Sequence, residues 1–208
     1  MHQLFAPMET ELPLLNAARK MDKETIIKAF DLYASPLYNY ALRLCGDSSL
    51  ADHIVGDVFA RLLEQLAAGK GPNSNLRSYL YETAYHLIVD EARSSQRRAP
   101  LEAVTSLKLD VRAGQLGSEE QILLEKVLVA IQHDLTGDQR HVIILRFLEG
   151  FSLRETSAIL GKAVSHVKVI QSRALAKLRK VFEYNERRTT VSWPRVGRYL
   201  TIKHLKTR

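Results

Sequence analysis

The stretch FSLRETSAILGKAVSHVKVIQSR, residues 151–173, contains two short helical patterns joined at one glycine, Gly161. The apolar side of the first pattern comprises Leu153, Thr156, Ala158, Ile159 and Leu160, and that of the second comprises Val164, Val167, Ala174 and Leu178. Glycine at the joint predicts a left-handed backbone conformation there. The arrangement is typical of a helix-turn-helix, whose second helix enters the major groove of DNA. A helical hairpin that packs only its own core has the same pattern, so both interpretations stay open at this point.

The outward side of the second helix is basic and polar. Its candidate DNA-contacting residues are Lys162, Ser165, His166, Lys168, Arg173, Lys177 and Arg179. From Gly161 to the end, thirteen Lys and Arg stand against two Glu, a net charge of +11; the whole chain carries +7, so residues 1–160 carry −4. This asymmetry favours a polyanionic partner, because Lys and Arg release the counterions of DNA on binding. A solvated basic tail is the alternative.

The rest of the chain also has a helical pattern, and no segment shows the two-residue alternation of a strand. Helices are predicted at 23–45, 48–69 and 75–98. In the first, Ile26, Ile27, Phe30, Leu37, Tyr40, Ala41 and Leu44 line one face, and Pro36 is expected to end, kink or restart the helix. In the second, serines cap the start, Leu50, Ile54, Val58, Leu62 and Leu66 form a ladder, and Gly69 ends the helix.

Three capping boxes predict further helix starts, namely Ser118 with Gln121, Thr136 with Gln139, and Ser152 with Glu155. The predicted class is all-α, with two small helical domains joined by a flexible linker. Its parts are an N-terminal extension at 1–20, a helical domain at 21–98, a linker at 99–117, a helix-turn-helix domain at 118–184 and a basic tail at 185–208. The tail contains Trp193 and several aliphatic residues, which favours docking on a partner or on the second domain over contact with DNA.

Composition excludes several classes of protein. No run approaches the ~20 apolar residues of a membrane span, and the N-terminus lacks the pattern of a signal peptide. A single cysteine, Cys45, fits a reducing cytoplasm, and a small buried role is expected for it. The seven histidines are scattered, and no metal cluster, phosphate loop or nucleophile–base pair is evident. We therefore expect a cytoplasmic protein without membrane insertion, metal, cofactor or catalytic residues, and not an enzyme.

Four segments in order carry a family resemblance. LTGDQRHVIILRFLEGFSLRETSAILG and VKVIQSRALAKLRKVF resemble region 4 of bacterial sigma-70 family initiation factors. ADHIVGDVFARLLEQL resembles region 2.2, through its DVF-x-RL pattern, and NLRSYLYETAYHLIVDEARSSQRR resembles regions 2.3 and 2.4. The resemblance covers about 23–184 and is to the short extracytoplasmic-function (ECF) type, which has only regions 2 and 4. Each motif is modest alone, but their order and spacing are specific.

The resemblance implies three binding activities. Region 4 would read the −35 promoter element as duplex through the seven residues given above and would dock on the flap of core RNA polymerase. Region 2 would open and capture the −10 element through Asn73, Asn75, Tyr79, Tyr85, His86, Arg93, Arg97 and Arg98. The clamp helices of the polymerase would bind Asp57, Phe59, Arg61 and Leu62. The family also implies an anti-sigma factor as a partner.

Several positions leave alternatives open. Phe59 lies one position off the ladder, so it is either partly exposed at an interface or part of the core. Tyr81 and Tyr85 share a helix face whereas Tyr79 points elsewhere, and core packing is expected for at least one of the three. Tyr79 and His86 stand where the family has tryptophan and asparagine. Ile170-Gln171 stands where it often has Arg-Leu, so Ile170 either points outward or packs after a slight helix rotation.

Two other functions compete with the sigma-factor hypothesis. A free-standing helix-turn-helix regulator would explain residues 118–184 but not the DVF segment or the loop at 69–75. A non-DNA adaptor that mimics a sigma factor would not need the basic end of the chain.

Ala163 also replaces a serine that would cap the second helix, which costs about 1 kcal/mol unless Ser165 takes over.

Overall fold

The computed structural model describes residues 16, 18–19, 22–72, 75–97 and 118–188, with the backbone alone at 95–97, 118–123 and 184–188. Within these residues every regular element is a helix, which confirms the all-α prediction. In chain order they are α1 (Lys23–Cys45), α2 (Ser48–Ala67), α3 (Leu76–Arg97), α4 (Ser118–Asp134), α5 (Gly137–Ile143), a π-helical turn (Ile144–Leu148), α6 (Leu153–Leu160) and α7 (Val164–Arg188). The linker 99–117 and most of the N-terminal extension and of the tail lie outside the described residues.

The ends of α1 are set by local hydrogen bonds. The Asp22 carboxylate caps the start by accepting the Thr25 hydroxyl and, at 2.9 Å, the Thr25 N–H. These two hydrogen bonds lower the pKa of Asp22 because they stabilise its charged form. The bond from the Thr25 hydroxyl has the larger effect, followed by the bond from the Thr25 N–H. At the other end the Gly46 N–H donates to the Leu42 carbonyl at 2.8 Å, with Gly46 in the left-handed region at φ 73°. Both predicted bounds of this helix are confirmed.

Pro36 lies inside α1, and the helix continues past it to Cys45. The expectation that the helix ends or restarts there is therefore wrong. Proline removes the N–H that would bond to the carbonyl of Leu32, four residues earlier. Because Leu32 is exposed, water can reach that side of the helix, and the loss does not leave a buried carbonyl without a donor.

The buried face of α1 agrees with the predicted one only in part. Leu37, Tyr40 and Ala41 are buried as predicted, but Ile27 is 50% exposed and Phe30 is 48% exposed, while Tyr33 is buried without having been predicted. Apolar residues occur all round this helix, so periodicity alone does not select a face. Tertiary packing selects it, since the Tyr40 ring lies 5.1 Å from the ring of Tyr81 on α3.

The start of α2 is capped by Asp47 and not by the serines that follow it. The Asp47 carboxylate accepts the Leu50 N–H at 3.1 Å, so Ser48 and Ser49 already belong to the helix. Aspartate is as good an N-cap as serine, and its earlier position takes the role. The ladder from Ile54 to Leu66 is buried as predicted, with Leu50 half-buried, and Gly69 is left-handed at φ 69°.

The described helices fall into two compact units. The first comprises α1, α2 and α3 together with Arg154–Ala163, and the second comprises α4, α5, the π-helical turn and α7. In the first unit each of the three long helices contacts the other two, and α3 contributes Leu76, Leu80, Tyr81, Ala84 and Ile88 to the shared core. The Ala18 side chain is buried as well, so the expected looseness of 1–20 does not hold at that residue. The predicted domain boundaries stay a prediction.

The second unit contains a turn that the sequence did not predict. The capping box at Thr136 predicted where a helix begins, but not that α5 widens into a π-helical turn at Ile144–Leu148. The Glu149 N–H donates to the Ile144 carbonyl, five residues back, at 2.9 Å. Val142, Ile143, Ile144 and Leu145 are all buried, a run too long for one α-helical stripe. The capping box at Thr136 is confirmed, and its N–H donates to Gln139 Oε1 at 3.1 Å.

Two general features of the described residues bear on function. No helix in this part of the chain is long and apolar enough to cross a membrane. Among the same residues, no group of three or more His, Cys, Asp or Glu is placed to hold a metal ion.

Candidate nucleic-acid and polymerase interfaces

Two hydrogen bonds between Ser157 and Lys162 hold the turn between α6 and α7. Gly161 is left-handed at φ 61°, as predicted, and the Lys162 N–H donates to the Ser157 carbonyl at 3.0 Å. The Ser157 hydroxyl donates in return to the Lys162 carbonyl. A side chain at position 161 would be strained by that backbone conformation, since L residues rarely adopt it. In α6, Thr156, Ile159 and Leu160 are buried, Leu153 is half-buried, and Ala158 is exposed, contrary to prediction.

α7 separates buried and exposed residues cleanly. Val167, Ile170, Ala174 and Leu178 form its buried side, and Val164 is half-buried. The predicted contact residues on this helix are all exposed, namely Ser165, His166, Lys168, Arg173, Lys177 and Arg179. Lys162, in the turn, is half-buried. The helix therefore presents a mainly basic and polar surface, which we call the basic face of α7.

Ile170-Gln171 does not belong to that face. Ile170 is only 7% exposed, so the alternative in which it packs is confirmed and the outward orientation is wrong. Gln171 Oε1 accepts the Arg146 Nε–H at 3.1 Å, and Arg146 Nη1 also donates to the Phe151 carbonyl. This arginine of the π-helical turn thereby joins the loop before α6 to α7. Sequence reasoning missed its role, although a lone arginine within the apolar run IILRFL was a usable signal.

α3 carries a second set of accessible residues. Tyr79, His86 and Arg93 are spaced by seven, so they lie on one side of the helix within about 20° per step. Tyr79 is half-buried, and His86 and Arg93 are exposed. Arg93 Nη1 lies 3.6 Å from Asp90 Oδ1, but both side chains are 69% exposed, so water screens this ion pair. We call these three residues the α3 stripe.

Two further tyrosines of α3 belong to the core. Tyr81 is fully buried against Tyr40, with the Arg77 guanidinium 5.6 Å from its ring centroid. Tyr85 is 8% exposed, and its ring centroid lies 5.3 Å from that of His86. The shared face of Tyr81 and Tyr85 is confirmed, and the expectation of core packing for at least one tyrosine is met. Because Tyr85 is buried, little of its ring surface is accessible for stacking with a nucleic-acid base, and its assignment as a DNA contact stays a prediction.

The loop before α3 is held at both ends. The Asn75 side chain caps α3, with Oδ1 accepting the Ser78 N–H at 2.6 Å. The Arg19 guanidinium donates twice to the Pro72 carbonyl, at 3.1 and 2.8 Å, a contact that the sequence did not predict. Gly71 lies against Leu66, where an added Cβ would come within 2.5 Å of a side-chain carbon. Asn73 and Arg98 lie outside the described residues, and of Arg97 only the backbone is described.

Replacing Asn75 tests whether its amide serves the fold or DNA. We expect Asn75→Ala to lower the free energy of unfolding by about 1 kcal/mol, because α3 loses its N-cap. Asn75→Asp keeps the capping oxygen and should be as stable as the wild type in urea denaturation. If Asn75→Ala is as stable as the wild type, the side chain does not cap the helix in solution. If Asn75→Ser, a neutral N-cap without the amide, weakens promoter opening at unchanged stability, the amide group contacts DNA.

The predicted polymerase-binding residues divide into two pairs. Asp57 and Arg61 are exposed and lie one turn apart on α2. Phe59 is 7% exposed and Leu62 is 1% exposed, so neither side chain is free to contact a partner in this conformation. The Phe59 ring packs against the ring of Phe30, with the two centroids 4.9 Å apart. Of the two alternatives for Phe59, the core role is correct and the partly exposed one is wrong.

Comparison with known proteins finds family models that match both parts of the chain. The Sigma-70 region 2 model matches residues 29–98, and the Sigma-70, region 4 model matches residues 133–180. The ECF RNA polymerase sigma factor SigX of Bacillus subtilis is 31% identical over 166 residues, which cover 77% of this chain and 85% of SigX. ShbA of Streptomyces griseus, also an ECF RNA polymerase sigma factor, is 30% identical over 149 residues, covering 68% and 76%.

A solved structure has the same fold. The sigma factor RpoE, in complex with the anti-sigma factor NepR from Bartonella quintana, aligns with a TM-score of 0.62 at 24% identity, covering 75% of this chain and 95% of RpoE. The chain therefore belongs to the sigma-70 family and is an RNA polymerase sigma factor of the ECF type.

Proposed function

We propose that this sigma factor binds core RNA polymerase and directs initiation by reading the −35 element as duplex and by melting and capturing the −10 element. The observation that carries the proposal is the basic face of α7. Every candidate contact on that helix is exposed, while Val167, Ile170, Ala174 and Leu178 are buried. A helix with this division can enter a major groove without disturbing its own packing.

The −35 element would be read by two sets of residues on and beside α7. Ser165, His166, Lys168 and Arg173 are candidates for base edges, and among these arginine is the best suited to bind guanine through two hydrogen bonds. Lys162, Lys177 and Arg179 are candidates for phosphates, which position the helix without reading sequence. The net charge of +11 from Gly161 onward supports this electrostatic part of the binding.

The −10 element would be held by the α3 stripe. A separated strand exposes base faces, and Tyr79 and His86 offer ring surfaces on which a base can stack. Arg93 lies farther along the same side, where it can bind the phosphate backbone of the DNA strand. Arg97 and Arg98 would add further positive charge next to it. Tyr85 acts indirectly, because its buried ring packs beside His86. Asn73 and Asn75 would lie in the loop that receives a flipped base.

Polymerase binding would use the exposed pair on α2. Asp57 and Arg61 are accessible to the clamp helices, while Phe59 and Leu62 support the same helix from the core. The second unit would dock on the flap of core polymerase. An anti-sigma factor is a further proposed partner, which the complex of the similar sigma factor RpoE with NepR supports.

These activities require binding and no bond chemistry, so we propose a non-catalytic factor that acts on DNA in the cytoplasm without a cofactor. The alternative of a free-standing helix-turn-helix regulator is less well supported, because the region 2 model also matches residues 29–98. A regulator that binds duplex alone has no use for that unit. We further propose that residues 99–117 link the two domains. The tail, residues 185–208, would dock on a partner or on the second domain.

The proposed polymerase contact is tested by gel filtration of the full chain with core polymerase. We expect co-elution, and we expect Asp57→Ala with Arg61→Ala to weaken it about tenfold or more, since the few residues that dominate an interface cost over about 1 kcal/mol each when truncated. Circular dichroism should show unchanged helicity, because both side chains are exposed.

Asp52→Ala is the matched control for this pair. Asp52 is an exposed carboxylate on α2 that lies about 140° round the helix from Asp57, so its loss should leave binding unchanged. If the wild-type chain does not co-elute with core polymerase, the proposed function is wrong. If the wild type co-elutes and the double variant binds core polymerase equally well, the assignment of Asp57 and Arg61 is wrong.

A further inference from the structure

The basic face of α7 contains one large apolar side chain that the proposed contacts do not use. Val169 is 45% exposed, the only large hydrophobic side chain so exposed between Val164 and Glu183, the part of α7 whose side chains are described. At about 100° per residue it lies nearly opposite the buried Val167, near the middle of the exposed side. Its exposure is therefore not that of a residue at the edge of the core.

The neighbours of Val169 leave it accessible. Ser165 and Ser172, one turn before and after it, are exposed and shorter than valine, so neither covers its methyl groups. Arg173 is also one turn away and is exposed. A β-branched side chain has one strongly preferred χ1 rotamer in a helix, so the two methyl groups of Val169 are held in a defined place. Little side-chain entropy is lost when such a group is buried in a complex.

We propose that Val169 is a specificity-determining residue that contacts the C5-methyl group of a thymine in the upstream promoter element. This inference rests on the proposed function, in which α7 enters the major groove. There the base edges present hydrogen-bond donors and acceptors, and the thymine methyl is the apolar group among them. An isopropyl group directed at a cytosine, guanine or adenine edge would displace water from polar atoms without replacing its hydrogen bonds. Thymine is the base that offers it a matching surface.

Deoxyuridine, which lacks only the methyl group of thymidine, provides the test. Holoenzyme made from the full chain and core polymerase is first used to select its upstream element from a random DNA pool. Each thymine of that element is then replaced by deoxyuridine, one position at a time, and affinity is measured. We expect the wild type to lose affinity about fourfold at one position, the effect of leaving one methyl group unburied.

Val169→Ala removes the contacting methyl groups from an exposed site where alanine suits a helix. It should bind the thymine-containing element about as weakly as the wild type binds the deoxyuridine form, with no further loss on deoxyuridine substitution at that position. Ser172→Ala, on the same face, should keep the fourfold loss. Val169→Ala that stays as sensitive as the wild type, or a wild type indifferent at every thymine, would overturn the inference alone. Holoenzyme that selects no upstream element would overturn the proposed function and this inference with it.

Discussion

Ile170→Arg should destabilise the second unit by about 3–5 kcal/mol, because it places an unpaired charge where a side chain is 7% exposed. The family often has an arginine at this position, so the sequence alone favours the opposite expectation, a functional gain in DNA contact. In the structure Ile170 shares the buried side of α7 with Val167 and Ala174. Arginine there must either stay in the core without a partner or turn the helix and expose its apolar residues.

Chemical denaturation followed by circular dichroism measures this effect, with Ile170→Leu as the control. Leucine has the same volume and no charge, so it should cost less than about 1.5 kcal/mol. An Ile170→Arg variant that unfolds at the same denaturant concentration as the wild type would show that Ile170 is not buried in solution. In that case the dipeptide Ile170-Gln171 would again be a candidate for DNA readout.

Removing the three proposed phosphate contacts should weaken promoter binding on the order of 100-fold near 0.1 M salt. Each neutralised phosphate contributes about 0.9 to the slope of log affinity against log salt concentration. The combined replacement of Lys162, Lys177 and Arg179 by alanine should therefore reduce that slope by about three. The loss should be nearly equal for all upstream sequences, because phosphates carry no sequence information.

Arg173→Ala is the matched comparison for the triple variant. It should reduce the salt slope by no more than about one, and it should relax the preference at one base pair, as expected for a base-edge contact. Fluorescence anisotropy of holoenzyme on labelled promoter DNA, over a series of salt concentrations, distinguishes the two results. If the triple variant changes sequence preference and Arg173→Ala does not, the two roles have been assigned the wrong way round.

Between Thr136 and the end of α7, the sequence predicted the features that depend on local pattern. The left-handed Gly161, the capping box at Thr136 and the exposed residues of α7 follow from periodicity and turn chemistry, which act within a few residues. The π-helical turn and the bonds from Arg146 to Gln171 and Phe151 did not follow, because they join residues that are distant in sequence or depart from regular helix geometry.

In the first unit, tertiary packing decided what the pattern left open. Phe30 and Ile27 fit a helical stripe yet are exposed, and Tyr33, outside the predicted stripe, is buried in the core. Phe59 is buried and packs against Phe30 on the neighbouring helix, and no rule about one helix can predict a contact between two. The same holds for the burial of Tyr85 on α3. The lesson is that exposed faces were predictable where one stripe was apolar, and unpredictable where apolar residues surround the helix.

Run-off transcription with the purified chain, core polymerase and a DNA template that contains the selected promoter tests the central claim most directly. We predict transcripts that begin at one defined position only when the chain is present, and that disappear when either promoter element is replaced by unrelated sequence. Transcripts that are independent of the chain, or that are unaffected by replacement of both elements, would contradict the account of this protein as a promoter-reading sigma factor.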